Sequence, residues 1–396
     1  MTSALQLSGE RFAAVYYIRA EGPTQAEARA RAICLEQTVE FPEPLIPEAA
    51  IRRQIVGEIA DLQAADQGVY RAVIRYPLEV AGDELTQLIN VLFGNVSIQP
   101  GVRLMDFTLS PGLFRRYRGP RFGIAGLRER LGVHQRPLLC TAIKPMGLSP
   151  AQLADLAYRL ALGGIDLIKD DHGLADQPFC RFDERVQRCA EAVSRANRET
   201  GQQALYLPNV TGPFADISRR AHLARGAGAG GLLFCPGLAG LDSMRSLADD
   251  DTLALPILSH PAFQGSLAVS PEAGLSHRVL FGLLNRLAGA DAAIFPHFGG
   301  RFAYAEADCR DIVRGCTQAM APEGTAAENG AAGASGMAPI FPVPAGGMRL
   351  DRIDELVRFY GRDCMLLIGG DLHAHGDDLA GSCRRFRDLA EAAVSH

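Results

Sequence analysis

From about residue 137 the chain repeats one pattern, a short unbroken apolar run that ends in polar or glycine residues. The runs are LLCTAIKP, IDLIKDD, ALYLPNV, GGLLFCP, LPILSHP, AAIFPHFGG, APIFPVPAGG and MLLIGGD. Continuous rather than alternating apolarity is what parallel strands buried on both faces require. Helical stretches such as AQLADLAYRLALGG (151–164) lie between them. Eight such units within residues 123–396 predict an α/β fold of the (β/α)8 TIM-barrel type. A doubly wound parallel sheet is the alternative architecture.

The preceding residues have a different rhythm. FAAVYYI (12–18) and VYRAVIRY (69–76) read as strands, rich in β-branched and aromatic residues. TQAEARARAICLEQ (24–37), with Thr24 as its N-cap, and DELTQLINVLFG (83–94), ending at Gly94, read as helices. They predict a small N-terminal α+β (ferredoxin-like) domain over 1–122, joined through RYRGPRFG (116–123) to a catalytic barrel over 123–396. PEGTAAENGAAGASGMA (322–338) reads as a mobile loop before the seventh barrel strand.

Charge narrows the partners. The net charge of −5 is spread along the chain with no basic block, which argues against nucleic acid and anionic membrane. No stretch approaches the length of uncharged apolar residues that a membrane span needs, and MTSALQLSGERF lacks a signal-peptide pattern. Nine cysteines without a C-x-x-C pair read as reduced thiols, so the expected location is cytoplasmic.

In a barrel the strand ends converge on one face, where such enzymes place their sites. Those ends carry Lys144; Lys169, Asp171 and His172; Asn209; His260; His297; Gly346 and Gly347; and Gly369, Gly370 and Asp371. In DLIKDDHG (166–173), alternation puts Lys169 and Asp171 on one face and Asp170 on the other, with His172 at the turn into Gly173. Two readings stand: a buried Lys169–Asp171 ion pair, or a divalent metal held by oxygen and nitrogen ligands. A cationic lysine cannot ligate; it serves only if neutral, or if CO2 converts it to a carbamate. The two glycine pairs suit a phosphate held on backbone N–H groups. His260 and His297, both read as rim residues, suit a proton relay, and His373 and His375 form a further H-x-H ligand candidate.

The linked set resembles the large subunit of RuBisCO. The resemblance rests on TAIKP (141–145), GGIDLIKDDHGLADQPFCRFDERV (163–186), FGN (93–95), LSHP (258–261) and the two glycine motifs, and runs in order over nearly the whole chain. It implies carbamylated Lys169 binding Mg2+ with the acidic residues that follow, Lys144 as catalytic base, substrate contact by His260, and phosphate held by Gly346, Gly347, Gly369 and Gly370. It also implies that Glu36 and Asn95 reach the partner's site in a head-to-tail homodimer.

Departures from the family pattern shape the functional expectation. The family's second lysine in K-P-K is Met146, the arginine after the strand-five histidine is Pro261, and the chain has no tryptophan. GGRFAYAEAD (299–308) lacks the CO2-orienting lysine, for which Arg301 is a stand-in, and the metal-ligand glutamate is His172. Carboxylation is therefore not expected, and the chain resembles the non-carboxylating, RuBisCO-like branch. The expected reaction is enolisation of a small ketose monophosphate, foremost as a 5-methylthioribulose-1-phosphate isomerase. The alternatives are a 2,3-diketo-5-methylthiopentyl-1-phosphate enolase, whose lysine base would stand at Asn95, and a decarboxylase or transcarboxylase of a branched sugar-acid phosphate. Lys144 as base, His260 or His297 as relay, and Lys169, Asp171 and His172 on the metal make up the expected machinery. Imidazole in place of carboxylate predicts weaker Mg2+ binding and better tolerance of Mn2+ or Co2+. A Schiff-base aldolase using Lys144 or Lys169, and a sugar-phosphate-binding protein without chemistry, are the readings from other classes.

Overall fold

The computed structural model describes residues 5–322 and 336–394, so most of the Ala/Gly-rich stretch 322–338 lies outside the described residues. In chain order the strands are β1 (Arg11–Arg19), β2 (Glu58–Asp66), β3 (Val69–Pro77), β4 (Val102–Thr108), β5 (Leu138–Ile143), β6 (Leu167–Asp170) and β7 (Leu205–Leu207). They continue as β8 (Leu232–Phe234), β9 (Ile257–Ser259), β10 (Gly274–Leu275), β11 (Ala292–Pro296), β12 (Phe341–Ala345) and β13 (Met365–Leu367). Among the described residues the chain divides into two compact units. One takes in Met1–Arg118, Gln264–Leu280 and Ala319–Met337; the other takes in Gly119–Phe263, Phe281–Gln318 and Ala338–His396.

The first unit runs β1, helix Pro23–Glu36, β2, β3, helix Leu85–Phe93, β4, and its sheet order is β10-β4-β1-β3-β2. β4-β1-β3-β2 is antiparallel throughout, the ferredoxin-like arrangement, and β10 adds to it in parallel on β4. β1 and β3 were legible because they are rich in β-branched and aromatic residues, many of them buried. β2 was not, because it is largely exposed. The first helix begins at Pro23 with Gly22 as its N-cap, so Thr24 lies inside the first turn and does not cap it. Proline's fixed φ, ready-made for a first helical position, sets that start.

The second unit is the barrel. β13-β5-β6-β7 and β12-β11-β9-β8 form two parallel sheets in sequence order. A parallel bridge between Asn209 and Leu233 joins one seam, and β12 lies alongside β13 at the other. The barrel core is built from Leu138 and Cys140 (β5), Leu167 (β6), Leu205 and Leu207 (β7), Leu233, Leu258, Ala292 and Ile294 (β11), Phe341 and Val343, and Met365 and Leu367. Burying each large side chain contributes roughly 1.5–3 kcal/mol. This layer also fixes the phase of every strand. Counting onward by twos, Lys144, Lys169, Asp171, Asn209 and His260 continue the inward set, whereas Asp170 and His297 fall on the outward one. The helix Pro150–Leu162 behind β5 starts at a reciprocal Ser149–Gln152 capping box, which anchors the loop that carries Lys144.

Candidate active site

At the C-terminal end of β6 the strand delivers two charged side chains inward. Lys169 is buried, only 3 % exposed, and its Nζ donates to the carbonyl of Asp170 at 3.1 Å. Burial pushes its pKa down. The Lys169–Asp171 ion pair, one of the two readings of this stretch, does not form. The Asp171 carboxylate turns to Lys144, with Nζ and Oδ2 2.7 Å apart, while its Oδ1 accepts the N–H of Gly173 at 3.0 Å. Burial alone would raise the Asp171 pKa. The hydrogen bonds from Lys144 and Gly173 and the charges of Lys144 and Lys169 outweigh it and hold the carboxyl at about 2.

His172 and His260 meet as stacked rings, with centroids 4.2 Å apart and planes at 15°. The His172 Nδ1 lies 3.5 Å from Asp171 Oδ1. Burial, then the positive charges of Lys169 and Lys144, lower the His172 pKa despite Asp171. Burial and the neighbouring Lys169 and His172 press that of His260 down to about 2, so its ring is neutral. Its Nδ1 accepts the N–H of Ala262 at 3.2 Å, which assigns the proton of the neutral ring to Nε2.

His297 is not part of this group, contrary to the expectation that it shares a rim with His260. It follows the inward residues Ala292 and Ile294 by an odd step, so its ring turns outward. There it packs against Phe298 and Tyr360, at centroid distances of 4.7 and 6.4 Å. Burial and the charge of Arg352 hold its pKa at about 4.

The glycine pairs differ from each other. Gly346 (φ +92) and Gly347 (φ +107) are in the left-handed region that favours glycine. A Cβ on Gly346 would meet the Phe302 ring at 3.1 Å, and one on Gly347 the Arg301 nitrogen at 3.1 Å. The Arg301 N–H donates to the Gly346 carbonyl at 2.7 Å, so the structure brings this arginine to the first pair. Gly369 has an ordinary φ of −109, and a Cβ on either Gly369 or Gly370 would meet nothing within 4 Å, which leaves open backbone there. The H-x-H pair splits. His373 lines a cleft of about 550 Å3 with Lys144, Leu148 and Gln152, whereas His375 Nε2 lies 3.4 Å from Asp371 Oδ2.

In the N-terminal unit Asn95 Nδ2 donates to Glu36 Oε1 at 3.0 Å. Gln37 fixes this corner, donating to the carbonyls of Asn90 and Val91, both at 2.8 Å, and accepting the N–H of Val96 at 3.1 Å. The two expected partner-reaching residues thus stand together.

Two features escaped sequence reading. Met146, in place of a family lysine, lies over Gly173, where a Cβ would meet its Cε at 2.8 Å. Asp170, read only as outward-facing, is fully buried and accepts from Arg185 Nε (3.1 Å), Tyr206 OH (2.7 Å) and Asn209 N–H (3.0 Å). The outward phase of Asp170 with an arginine fifteen residues on, in the following helix, was the available signal.

Among the described residues no three His, Cys, Asp or Glu side chains gather closely enough to hold a metal ion. Asp171 and His172 supply two donors, and a third has to come from Lys169. A buried amine of lowered pKa, whose recorded hydrogen bond is to a backbone carbonyl rather than a carboxylate, has the chemistry to add CO2 and become an oxygen donor. The residues would thus fit a divalent metal, held by Asp171, His172 and a carbamate oxygen on Lys169.

Comparison with known proteins gives the family. The model of the ribulose bisphosphate carboxylase large chain, catalytic domain, matches residues 123–396. Ribulose bisphosphate carboxylase-like protein 1 of Rhodopseudomonas palustris is 41% identical over 95% of this chain and 96% of its own length. A 5-methylthioribulose-1-phosphate isomerase of Rhodospirillum rubrum is 37% identical over 98% of both chains. The crystal structure of a Rubisco-like protein from Rhodopseudomonas palustris superposes with a TM-score of 0.83 at 37% identity, covering 97% of this chain and 98% of that one. The chain belongs to the RuBisCO large-chain family, among its RuBisCO-like members.

Proposed function

We propose that this chain is an enzyme that enolises a ketose monophosphate in sulfur salvage, and that its specific reaction is isomerisation of 5-methylthioribulose 1-phosphate. The observation that carries this reading is the Lys144 amine, 2.7 Å from Asp171 beside buried Lys169 and the stacked pair of His172 and His260. Similarity over full length to an isomerase of that name supports it.

Moving a carbonyl along a sugar chain requires a proton to leave one carbon and another to be returned elsewhere. Lys144 is the base. Its Nζ lies 2.7 Å from Asp171 Oδ2, so that contact has to open before Nζ reaches a substrate proton. His260, neutral and with its proton on Nε2, is a hydrogen-bond donor to the oxygen on which enolate charge develops. Arg301 and the backbone at Gly346 and Gly347 suit the substrate phosphate, with Gly369 and Gly370 beside it. Carbamylated Lys169, Asp171 and His172 would hold Mg2+, Mn2+ or Co2+, which when bound polarises the carbonyl and the enediolate. Met146 and Pro261 replace cationic groups, which is why we assign no carboxylation.

Asn95 favours the isomerase over the enolase. Its amide donates to Glu36 and offers no basic nitrogen, so the base expected of the enolase at this position is missing. In a head-to-tail homodimer Glu36 and Asn95 would complete the partner's site. The large apolar side chains Phe214 (87% exposed), Leu238 (58%) and Phe263 (78%), in the segments that follow β7, β8 and β9, suit such a covering.

The test is solvent-deuterium uptake into 5-methylthioribulose 1-phosphate, followed by NMR with and without Mg2+ and bicarbonate. Exchange and a shifted carbonyl are expected with both present. No exchange under any condition would sink the isomerase reading.

A further inference from the structure

The turn after β6 places Asp171 and His172, and its backbone is held by two side chains, one just past β7 and one further along the same loop. Asn209 is 2% exposed, and its Nδ2 donates to the carbonyls of His172 and of Leu174, both at 3.0 Å. Its Oδ1 accepts the N–H of Thr211 at 3.2 Å, and its own N–H donates to the Asp170 carboxylate at 3.0 Å. From the other side Gln177 Nε2 donates to the carbonyl between them, that of Gly173, at 2.7 Å, while Gln177 Oε1 accepts the N–H of Ala175 at 2.9 Å. Three consecutive carbonyls are therefore taken by two side-chain amides. The N–H groups of Gly173 and Leu174 close back onto Asp171, on its Oδ1 and its carbonyl.

This is more than ordinary turn satisfaction. One buried amide spends both N–H groups on carbonyls that bracket Gly173, and its register is set by Asp170, which Arg185 and Tyr206 lock in turn. A carboxylate in place of the amide would point acceptor at acceptor across both contacts. Of the common side chains of this length, only asparagine meets the donor demand.

We propose that Asn209, with Gln177 opposite, is a positioning clamp that fixes the His172 ring against His260 and aims Asp171 at Lys144. Both amides act through the turn and touch no reacting atom. Their relevance to catalysis rests on the function proposed above, whereas their effect on geometry does not.

The experiment compares Asn209→Asp with Asn197→Asp. Asn197 makes the same kind of amide contact with backbone, donating to the Ala204 carbonyl and accepting its N–H, both at 2.9 Å, ahead of β7. Histidine labelled with 15N reports the ring resonances of His172 and His260, assigned through His172→Gln and His260→Gln. In Asn209→Asp both resonances should shift, while in Asn197→Asp they should stay at wild-type positions even if the unfolding midpoint falls equally. Unmoved rings in a folded Asn209→Asp protein overturn the clamp. Should that variant not fold, Gln177→Leu decides in the same way, with unmoved rings again overturning it. The spectra need no substrate, so a wild-type protein without deuterium exchange would defeat the functional reading and leave the clamp standing. A Mn2+ titration of folded Asn209→Asp should show roughly 10- to 100-fold weaker binding than wild type, the usual effect of losing a group that orients a ligand, while Asn197→Asp binds as wild type does; equal loss in both overturns the clamp.

Discussion

Two lysines on the same inward set have different environments, and the difference predicts different phenotypes. Lys144 is 45% exposed and paired with Asp171. Lys144→Met should cut proton exchange by roughly 100- to 10,000-fold, the usual contribution of a general base, with unfolding nearly unchanged. Lys169 is buried with a lowered pKa. Lys169→Met should keep the fold and abolish any dependence of metal binding on bicarbonate, read by Mn2+ titration with and without bicarbonate. A dependence that persists would remove the carbamate. His260 makes a pH prediction. Burial first, then Lys169 and His172, take it from 6.5 to about 2. Below pH 6.5 the unfolded chain takes up a proton that the folded site resists. The stability from the neutral ring is thus intact above about 6.5 and lost as pH falls toward 2. Between about pH 7.5 and 5.5 the urea midpoint of the wild type should fall further than that of His260→Gln.

At the scale of elements, β6 and the helix Phe182–Thr200 are tied by one ion pair without solvent, Arg185 Nε to Asp170 Oδ2 at 3.1 Å with both side chains 0% exposed. Arg185→Met leaves Asp170 as a buried charge short of a partner. That should cost about 3–5 kcal/mol, measured by urea unfolding. A loss under 1 kcal/mol would mean that water or a rearranged donor replaces the arginine. The same elements show where sequence reading succeeds and where it slips. The alternation in DLIKDDHG put Lys169 and Asp171 inward and Asp170 outward, and the strand obeys it. Alternation also applies to β11, and counting from Ile294 would have turned His297 away from His260. Reading the histidine as a rim residue because a strand ends there overlooked its phase. β2 and the N-cap at Gly22 were missed because an exposed edge strand has no apolar signal, and because a proline start outranks a nearby threonine.

At the scale of the whole molecule, the proposed sharing of each site between two subunits predicts complementation. Lys144→Met and Asn95→Ala proteins, each inactive alone, should recover activity when mixed and refolded together. Half of the dimers are then hybrids with one intact site of two, so roughly one quarter of wild-type activity is expected. No recovery would place Asn95 in its own subunit's site or outside the site. All nine cysteines are buried free thiols, so no disulfide complicates the refolding. No helix among the described residues is long and apolar enough to cross a membrane. The barrel, the ferredoxin-like unit before it and the strand-end inventory of lysines, histidines and glycines were all legible in the chain, because periodicity and turn chemistry are local and each apolar run carries its own evidence. Which of those residues meet was settled in three dimensions. Lys144 rather than Lys169 neutralises Asp171, His172 stacks on His260, and Asn209 grips a turn thirty-odd residues upstream. Such pairings depend on the phase of neighbouring strands and on which donor first satisfies a buried acceptor, quantities that no single segment encodes.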